Sequence, residues 1–264
     1  HPMLNIAVRS ARAAGKVILR AFEQVDKIEI ESKGTNDFVT NVDISAEQAI
    51  IETIQKSYPN HTIIGEECGV IEGKDNDYQW IIDPLDGTKN FLHGFPFYAV
   101  SIAVKHKNRI EHGVIYNPIN LDLFTASRGQ GARLNDQRIR VSKENRFEKT
   151  LIGTGFPCQN RDKNTNYLNT FNSISSQCSG IRRTGSAALD LAFVAAGKLD
   201  GFWEFGLKPW DLAAGSLLIK EAGGLVSNDQ GNEDILNSGN VVAGNPKTLK
   251  ALLQLIKPAM QKEI

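Results

Sequence analysis

The sequence predicts a mixed chain, an antiparallel N-terminal sheet covered by two helices and then an α/β half. Three observations predict it. Before residue 60, two segments carry apolar residues at helical spacing. From 62 to 141 the period changes to two and the connections are short. Past about 145, short apolar strands alternate with helical segments. Hairpin-linked strands form an antiparallel sheet with one face to bury, and alternating strands and helices form an α/β unit.

Residues 3–22 place Leu4, Ala7, Val8, Ala11, Ala14, Gly15, Ile18 and Phe22 on one face, with Arg9, Arg12 and Lys16 elsewhere, which is an amphipathic helix. A strand is expected at 28–32 and then a polar loop, Lys33-Gly34-Thr35-Asn36-Asp37. In FVTNVDISAEQAIIETIQKSYP, Ser45 is expected to cap a second helix. Ala46, Ala49, Ile50 and Ile54 then point inward and Pro59 stops it. Strands follow at 62–64, ending in Gly65-Glu66-Glu67, and, after a polar loop at 70–77, at 79–82. Strand 97–105 alternates Val100, Ile102 and Val104 against Ala99, Ser101 and Ala103. Further strands are expected at 110–116, 121–126 and, past the turn at Asn135-Asp136, 137–141.

In the second half, strands are expected at 151–154, 180–183, 201–204, 225–227 and 241–243. Helices are expected at 167–175, 186–196, 211–222 and 246–262, the third ended by Gly223-Gly224. The apolar face of 186–196 reads as core. With no linker or repeat between them, 1–145 and 146–264 are expected to be two subdomains packed as one unit.

The totals exclude several classes. Hydrophobic residues make up 41% and charged residues 23%, as in a globular chain. The 30 basic and 30 acidic residues cancel, so no basic stripe marks a direct nucleic-acid or membrane surface. No apolar run approaches the ~18–20 residues of a membrane span. The N-terminal segment is periodic rather than continuously apolar, so no signal peptide is expected. Cys68, Cys158 and Cys178 are odd in number and widely spaced, which reads as reduced thiols of a cytoplasmic protein.

The stretch that carries chemistry is WIIDPLDGTKNF at 80–91. An apolar strand ends at Asp83, and Pro84, Asp86, Gly87 and Thr88 follow at once. Magnesium takes oxygen ligands from a few carboxylates. The candidates are Glu66, Asp83, Asp86 and Asp211, with the Leu85 carbonyl between two of them. Gly87 and Thr88 add backbone N–H groups at a turn, which suits a phosphate, and Thr88 adds a hydroxyl that can orient a water. Read singly, each has an ordinary explanation. Asp83 and Asp86 could serve an Asx-turn and Asp211 a helix cap. The combination points to metal-assisted phosphoryl transfer. His61, His93, His106 and His112 have no metal-ligand spacing, and His61 and His112 fall in strands as structural residues.

WIIDPLDGTKNF and WDLAAGSLLIKEAGG resemble the two signatures of the magnesium-dependent, lithium-sensitive phosphatases, and within them the inositol monophosphatase family. GEE at 65–67, TNVD at 40–43, GSAALDLAFVAAGKLDGFWE at 185–204 and VVAGNP at 241–246 extend the likeness over nearly the whole chain. HPMLNIAV, TNDFVTNVD and RRTGSAALDLAFVAAG are similar to the bacterial SuhB-like branch. The resemblance implies an α-β-α-β-α layered fold, a homodimer and two or three magnesium ions. By it, Glu66, Asp83 and the Leu85 carbonyl hold a first metal, and Asp83, Asp86 and Asp211 a second. A third, weaker one leans on Glu66 and water. Thr88 and Asp43 activate the attacking water, with Glu66 counted among the catalytic residues, and Gly87 and Thr88 hold the phosphate. Asp86, Gly185, Ser186, Ala187, Glu204 and Asp211 surround the polyol. The implied reaction is hydrolysis of inositol 1-phosphate and similar phosphorylated polyols. Relatives acting on NADP, fructose bisphosphate or phosphoadenosine phosphate stay open, with Lys33, Arg182 and Arg183 the cations to watch. The same branch also implies binding to factors of ribosomal RNA transcription antitermination.

Overall fold

The computed structural model describes residues 1–23, 30–34, 37–156 and 164–260. The chain opens with helix α1 (Pro2–Phe22), a hairpin of β1 (Ile30–Gly34) and β2 (Asp37–Thr40), and helix α2 (Asn41–Ser57). The hairpin takes the place of the expected strand and polar loop, of which residues 28, 29, 35 and 36 lie outside the described residues. Helix α2 begins earlier than Ser45 predicts. Thr40 is its N-cap, and a reciprocal capping box with Asp43 satisfies the backbone N–H of each of the two residues. Ser45 sits one turn inside, donating to the Asn41 carbonyl at 2.6 Å.

The first sheet holds β3 (His61–Gly65), β4 (Gly69–Ile71), β5 (Asp75–Asp86), β6 (Ala99–His106), β7 (Arg109–Asn117), β8 (Asp122–Ser127), β9 (Gly131–Leu134) and β10 (Gln137–Arg138). Their order is β10-β9-β8-β7-β6-β5-β3-β4. It is antiparallel except where β3 and β5 run parallel. The reason is a tight crossing at 72–74. After β4 turns back at the edge, the chain crosses the start of β3 and begins again on its other side, with Asp75 N–H donating to the Asn60 carbonyl at 2.8 Å. Gly73 lies so close there that a Cβ would be 2.1 Å from that carbonyl oxygen. The expected polar loop at 70–77 is thus strand at both ends.

A short helix, α3 (Thr88–Leu92), leaves the end of β5. The second half supplies β11 (Leu151–Thr154), helix α4 (Asn164–Ser175), β12 (Gly180–Arg182), helix α5 (Ala187–Ala195), β13 (Gly201–Glu204), helix α6 (Pro209–Glu221), β14 (Leu225–Ser227), helix α7 (Ile235–Ser238), β15 (Val241–Gly244) and helix α8 (Pro246–Met260). Its sheet order is β12-β11-β13-β15-β14, with parallel pairs at β11 and antiparallel pairs at β15. Residues 261–262 of the expected last helix lie outside the described residues.

The elements stack as five layers: α1 and α2, the first sheet, α5 and α6, the second sheet, α4 and α8. Strand alternation distributes the core. Trp80, Ile82, Val100, Ile102 and Val104 face α1 and α2. Ile81, Ala99 and Ala103 face α5 and α6 on the other side. Both faces of the first sheet are buried, so its strands are apolar on both sides rather than half polar. In the second sheet Phe202 joins the central core and Trp203 the outer one. The residues of α5 are buried nearly throughout, as its apolar composition predicts. Among the described residues, no helix is long and apolar enough to cross a membrane.

Candidate metal and phosphate site

The site gathers where the C-terminal end of β5 meets the first turns of α5 and α6. Along a regular strand, Asp83 and Asp86 would point to opposite faces. The β5–β6 register removes that obstacle. Asp83 pairs with Ser101 and Asp86 with Ala99, so three steps on β5 match two on β6. The extra residue is a bulge that turns both carboxylates toward the α5–α6 layer. Pro84, which has no N–H to give a ladder, sits inside it. Asp83 Oδ1 accepts from the Leu85 N–H at 2.9 Å, so the Asx-type turn and the convergence coexist.

Each neighbouring element brings one acid. Gly65 of β3 pairs in parallel with Ile82, so Glu66 follows beside Asp83. Ser101, the cross-strand partner of Asp83, donates from Oγ to the Trp210 carbonyl at 3.0 Å and draws the first turn of α6 onto the sheet. Asp211 comes with it, its Oδ2 accepting from the Lys208 N–H at 2.7 Å. Asp211 is therefore both a partner in the helix cap and a member of the carboxylate cluster. One carboxylate oxygen each of Asp83, Asp86 and Asp211 lies within 4.8 Å of the others. Among the described residues no other set of three potential ligands converges so closely. Glu66 stands outside that triad but near enough to act on Asp83.

The electrostatics of the cluster are those of like charges out of water. Burial, then Glu66, Asp86 and Asp211, push the Asp83 carboxyl well above the usual range. Burial raises Asp86 to about 6, against hydrogen bonds from Ser186 and the α5 backbone. Burial and the Asp86 charge raise Asp211 to about 7. An all-oxygen set of this kind, with Asp83 buried and Asp86 and Asp211 half-buried, is costly as anions unless a cation joins it, and hard divalent cations take such ligands. The residues present fit a magnesium ion.

Asp86 also ties the two halves together. Its Oδ2 accepts from Ser186 Oγ at 2.6 Å and from the Ala188 N–H at 2.7 Å. Ser186 caps α5, accepting from the Leu189 N–H at 3.3 Å, so its hydroxyl is committed to protein partners. Gly185, at φ +92°, turns the chain into that cap in a conformation that favours glycine. Asn90 of α3 holds this turn by donating to the Thr184 carbonyl at 2.8 Å and the Phe97 carbonyl at 2.7 Å.

Gly87, at φ +97°, is the N-cap of α3 and sets Thr88 at its first position. Thr88 Oγ1 lies 3.0 Å from both Asp43 Oδ1 and the Leu85 carbonyl oxygen. Its single proton serves one of these acceptors at a time. Asp43 is buried, and its Oδ2 accepts from the Thr40 N–H at 2.9 Å and the Thr40 hydroxyl. Burial, the largest influence, raises its pKa.

On the far side, burial and the charges of Asp190, Asp211 and Asp86 push Glu204 well above the usual carboxylate range, opposed by Arg183. The Arg183 guanidinium lies over the Phe156 ring, 5.4 Å from its centroid. Arg182 is exposed on β12 and bonds its own neighbour's carbonyl. Nothing is described of the Lys33 side chain, and Cys158 lies outside the described residues; Cys68 and Cys178 are free thiols.

Sequence reasoning passed over three buried acids or caps near the site: Thr40, Glu47 and Asp190. Asp190 accepts from Thr184 Oγ1 at 2.7 Å, while its Oδ1 is buried without a hydrogen-bond partner among the described residues. The available signals were an Asp inside the apolar run AALDLAFVAA and a Glu one helical turn past Asp43.

The chain matches the inositol monophosphatase family over residues 1–261. It is 56% identical to the protein named Nus factor SuhB of Escherichia coli (strain K12), over 96% of this chain and 95% of that protein. Among solved structures it is similar to extragenic suppressor protein suhB from Bartonella henselae, with 44% identity, 97% of this chain and 99% of that one covered, and a TM-score of 0.95. It is also similar to the inositol monophosphatase of Anabaena (Nostoc) sp. PCC 7120, with 35% identity, 97% and 96% covered, and a TM-score of 0.88.

Proposed function

The chain belongs to the inositol monophosphatase family, and on that premise we propose that it is a magnesium-dependent phosphatase. It hydrolyses inositol 1-phosphate and similar polyol phosphate monoesters to the free alcohol and inorganic phosphate. The observation that carries this reading is the convergence of Asp83, Asp86 and Asp211 beside the Thr88–Asp43 pair. Glu66, Asp83 and the Leu85 carbonyl would hold one magnesium and Asp83, Asp86 and Asp211 a second, with a third leaning on Glu66. Bound there, magnesium would neutralise phosphate charge and make a water acidic near neutral pH.

The chain supplies positioning and a proton path. With its proton given to Asp43, Thr88 Oγ1 has lone pairs to accept from a water, and Asp43 is held by Thr40 so that this direction is fixed. The water oxygen attacks phosphorus in line, its proton passes to the Thr88–Asp43 pair, and the ester P–O bond breaks. A second water protonates the departing alkoxide, and the proton held by the Thr88–Asp43 pair returns the hydroxide so formed to water. The backbone N–H groups of Gly87 and Thr88 hold the phosphate. Glu204, Asp86, Asp211 and the turn over 185–187 surround the polyol hydroxyls. A homodimer and a cytoplasmic location belong to the same reading.

The Asp86→Asn variant tests it. It should keep its circular dichroism spectrum and lose at least about a hundredfold in turnover. Normal phosphate release by that variant would sink the reading. The test should span inositol 1-phosphate, NADP, fructose bisphosphate and phosphoadenosine phosphate, each with and without lithium. Dominance of a bisphosphate or of NADP would move the substrate class.

A second reading is favoured by the 56% identity to a protein named Nus factor SuhB: the chain also acts in ribosomal RNA transcription antitermination through protein contacts. If so, Asp86→Asn still binds the transcription machinery and supports growth. Loss of both with turnover would leave the phosphatase reading alone.

A further inference from the structure

Helix α2 carries a second buried acid one turn beyond Asp43, and the proposed mechanism does not use it. Glu47 is 3% exposed. Its side chain points at the turn over 66–68, the three-residue loop between β3 and β4. That loop has the ordinary form of a short hairpin, three residues followed by a left-handed position, here Gly69 at φ +67°. The Glu47 carboxylate sits beneath it as a common acceptor. Glu67 N–H donates to Oε1 at 3.1 Å and the Cys68 N–H points to the same carboxylate, while the Cys68 thiol donates to the Gly69 carbonyl at 3.5 Å. Space for it is made by Gly65, where a Cβ would lie 2.3 Å from Glu47 Oε1 and 2.7 Å from Cys68 Sγ.

The first residue of this turn is Glu66. Its backbone is fixed on one side by the register of Gly65 with Ile82 and on the other by the donors that Glu47 collects. We propose that Glu47 is a positioning residue for Glu66: it locks the 66–68 turn so that the Glu66 carboxylate is presented beside Asp83 for metal binding. The two buried acids of α2 then divide the labour, Asp43 fixing Thr88 and Glu47 fixing the turn that carries a ligand. The proposal rests on the reading of Glu66 as a magnesium ligand.

Magnesium binding measured by calorimetry without substrate, on the full chain, tests it. Glu47→Gln keeps the side chain's size but replaces one acceptor oxygen with an N–H donor. It should weaken magnesium by about tenfold, as loss of a ligand's outer partner does, while kcat at saturating magnesium stays close to that of the parent. Gly65→Ala leaves the Glu47 chemistry intact and displaces it, so it should shift magnesium affinity in the same direction. It also carries the comparison should Glu47→Gln fail to fold. Glu66→Gln should weaken magnesium too, and adding Glu47→Gln to it should weaken it no further, since the two act through one ligand. Parent-like affinity in Glu47→Gln and Gly65→Ala, with weakened binding in Glu66→Gln, overturns the proposal and leaves the reading of Glu66 standing. Additive losses overturn it as well, because Glu47 would then act elsewhere. Parent-like binding by Glu66→Gln overturns the underlying reading and the proposal with it.

Discussion

Glu204 reaches the site through a gap left by a missing side chain. A Cβ on Gly155 would lie 2.0 to 2.2 Å from the three atoms of the Glu204 carboxylate. Its backbone is not in the left-handed region, so alanine there needs no change in conformation. The atoms that must yield are the far end of a flexible side chain, so Gly155→Ala should keep the fold and swing the carboxylate away. A hydrogen bond to a carboxyl held neutral contributes ~0.5–1.5 kcal/mol, so KM for inositol 1-phosphate should rise roughly twofold to tenfold. An aryl phosphate with no hydroxyls to bind should be hydrolysed as before. Equal loss on both substrates in steady-state kinetics would remove Glu204 from polyol recognition. At this scale the sequence displayed the acids themselves, because WIIDPLDGT compresses two of them around a proline turn. It did not display the outer partners. Glu47 and Asp190 look like any acid in a helix until the loop or strand packed against them is known.

Strand β3 and the end of α2 share an aromatic ladder that makes one edge of the first sheet sensitive to acid. His61 stacks between Tyr58 and Tyr78, and Tyr78 stacks on His106. Trp80 Nε1 donates to His61 Nδ1 at 3.1 Å, which requires that nitrogen to be without a proton. Burial lowers the His61 pKa from 6.5. A histidine lowered in the folded state takes its proton first in the unfolded chain. Its contribution is therefore present at high pH and lost as pH falls below about 6.5. His61→Phe keeps a stacking ring but cannot titrate. The gap in denaturation midpoint between parent and His61→Phe should be widest near pH 8 and narrow below pH 6; a gap independent of pH would show that the Trp80 bond does not depend on protonation. Element type was legible where the period was long and apolar, as in β6 or α1. Strand β9 and helix α7 are four residues each and carry no period to read. The parallel β3–β5 pair was hidden because its crossing takes only residues 72–74, far shorter than a helix crossover.

At the scale of the whole molecule, the site closes the seam between the two sheets. The central core draws side chains from both, Ile81 and Phe124 from the first, Phe202 and Ala243 from the second, around α5 and α6. Asp83 and Asp86 come from the first sheet and Asp211 from α6, so a bound cation would bridge the halves. Without one, the raised carboxyls set the direction of a pH effect. Groups lifted to about 6 in Asp86 and about 7 in Asp211 hold protons more tightly folded than unfolded. Their contribution to the metal-free protein is present at low pH and is lost as pH rises through that window. Magnesium must displace those protons at low pH and relieves the repulsion at high pH. The gain in Tm from magnesium over a chelator should therefore be larger at pH 8 than at pH 6, while titrations shared by both conditions cancel. At a hundredfold excess over Kd the stabilisation should be about 2.7 kcal/mol. Fluorescence of Trp80 in the first sheet and Trp203 in the second, each followed in single-tryptophan variants, should report one coincident transition under both conditions. A magnesium gain equal at the two pH values would mean that the cation does not sit among Asp83, Asp86 and Asp211. Two separate transitions would mean that the shared core does not couple the sheets, and the cation would then bridge units that fold apart.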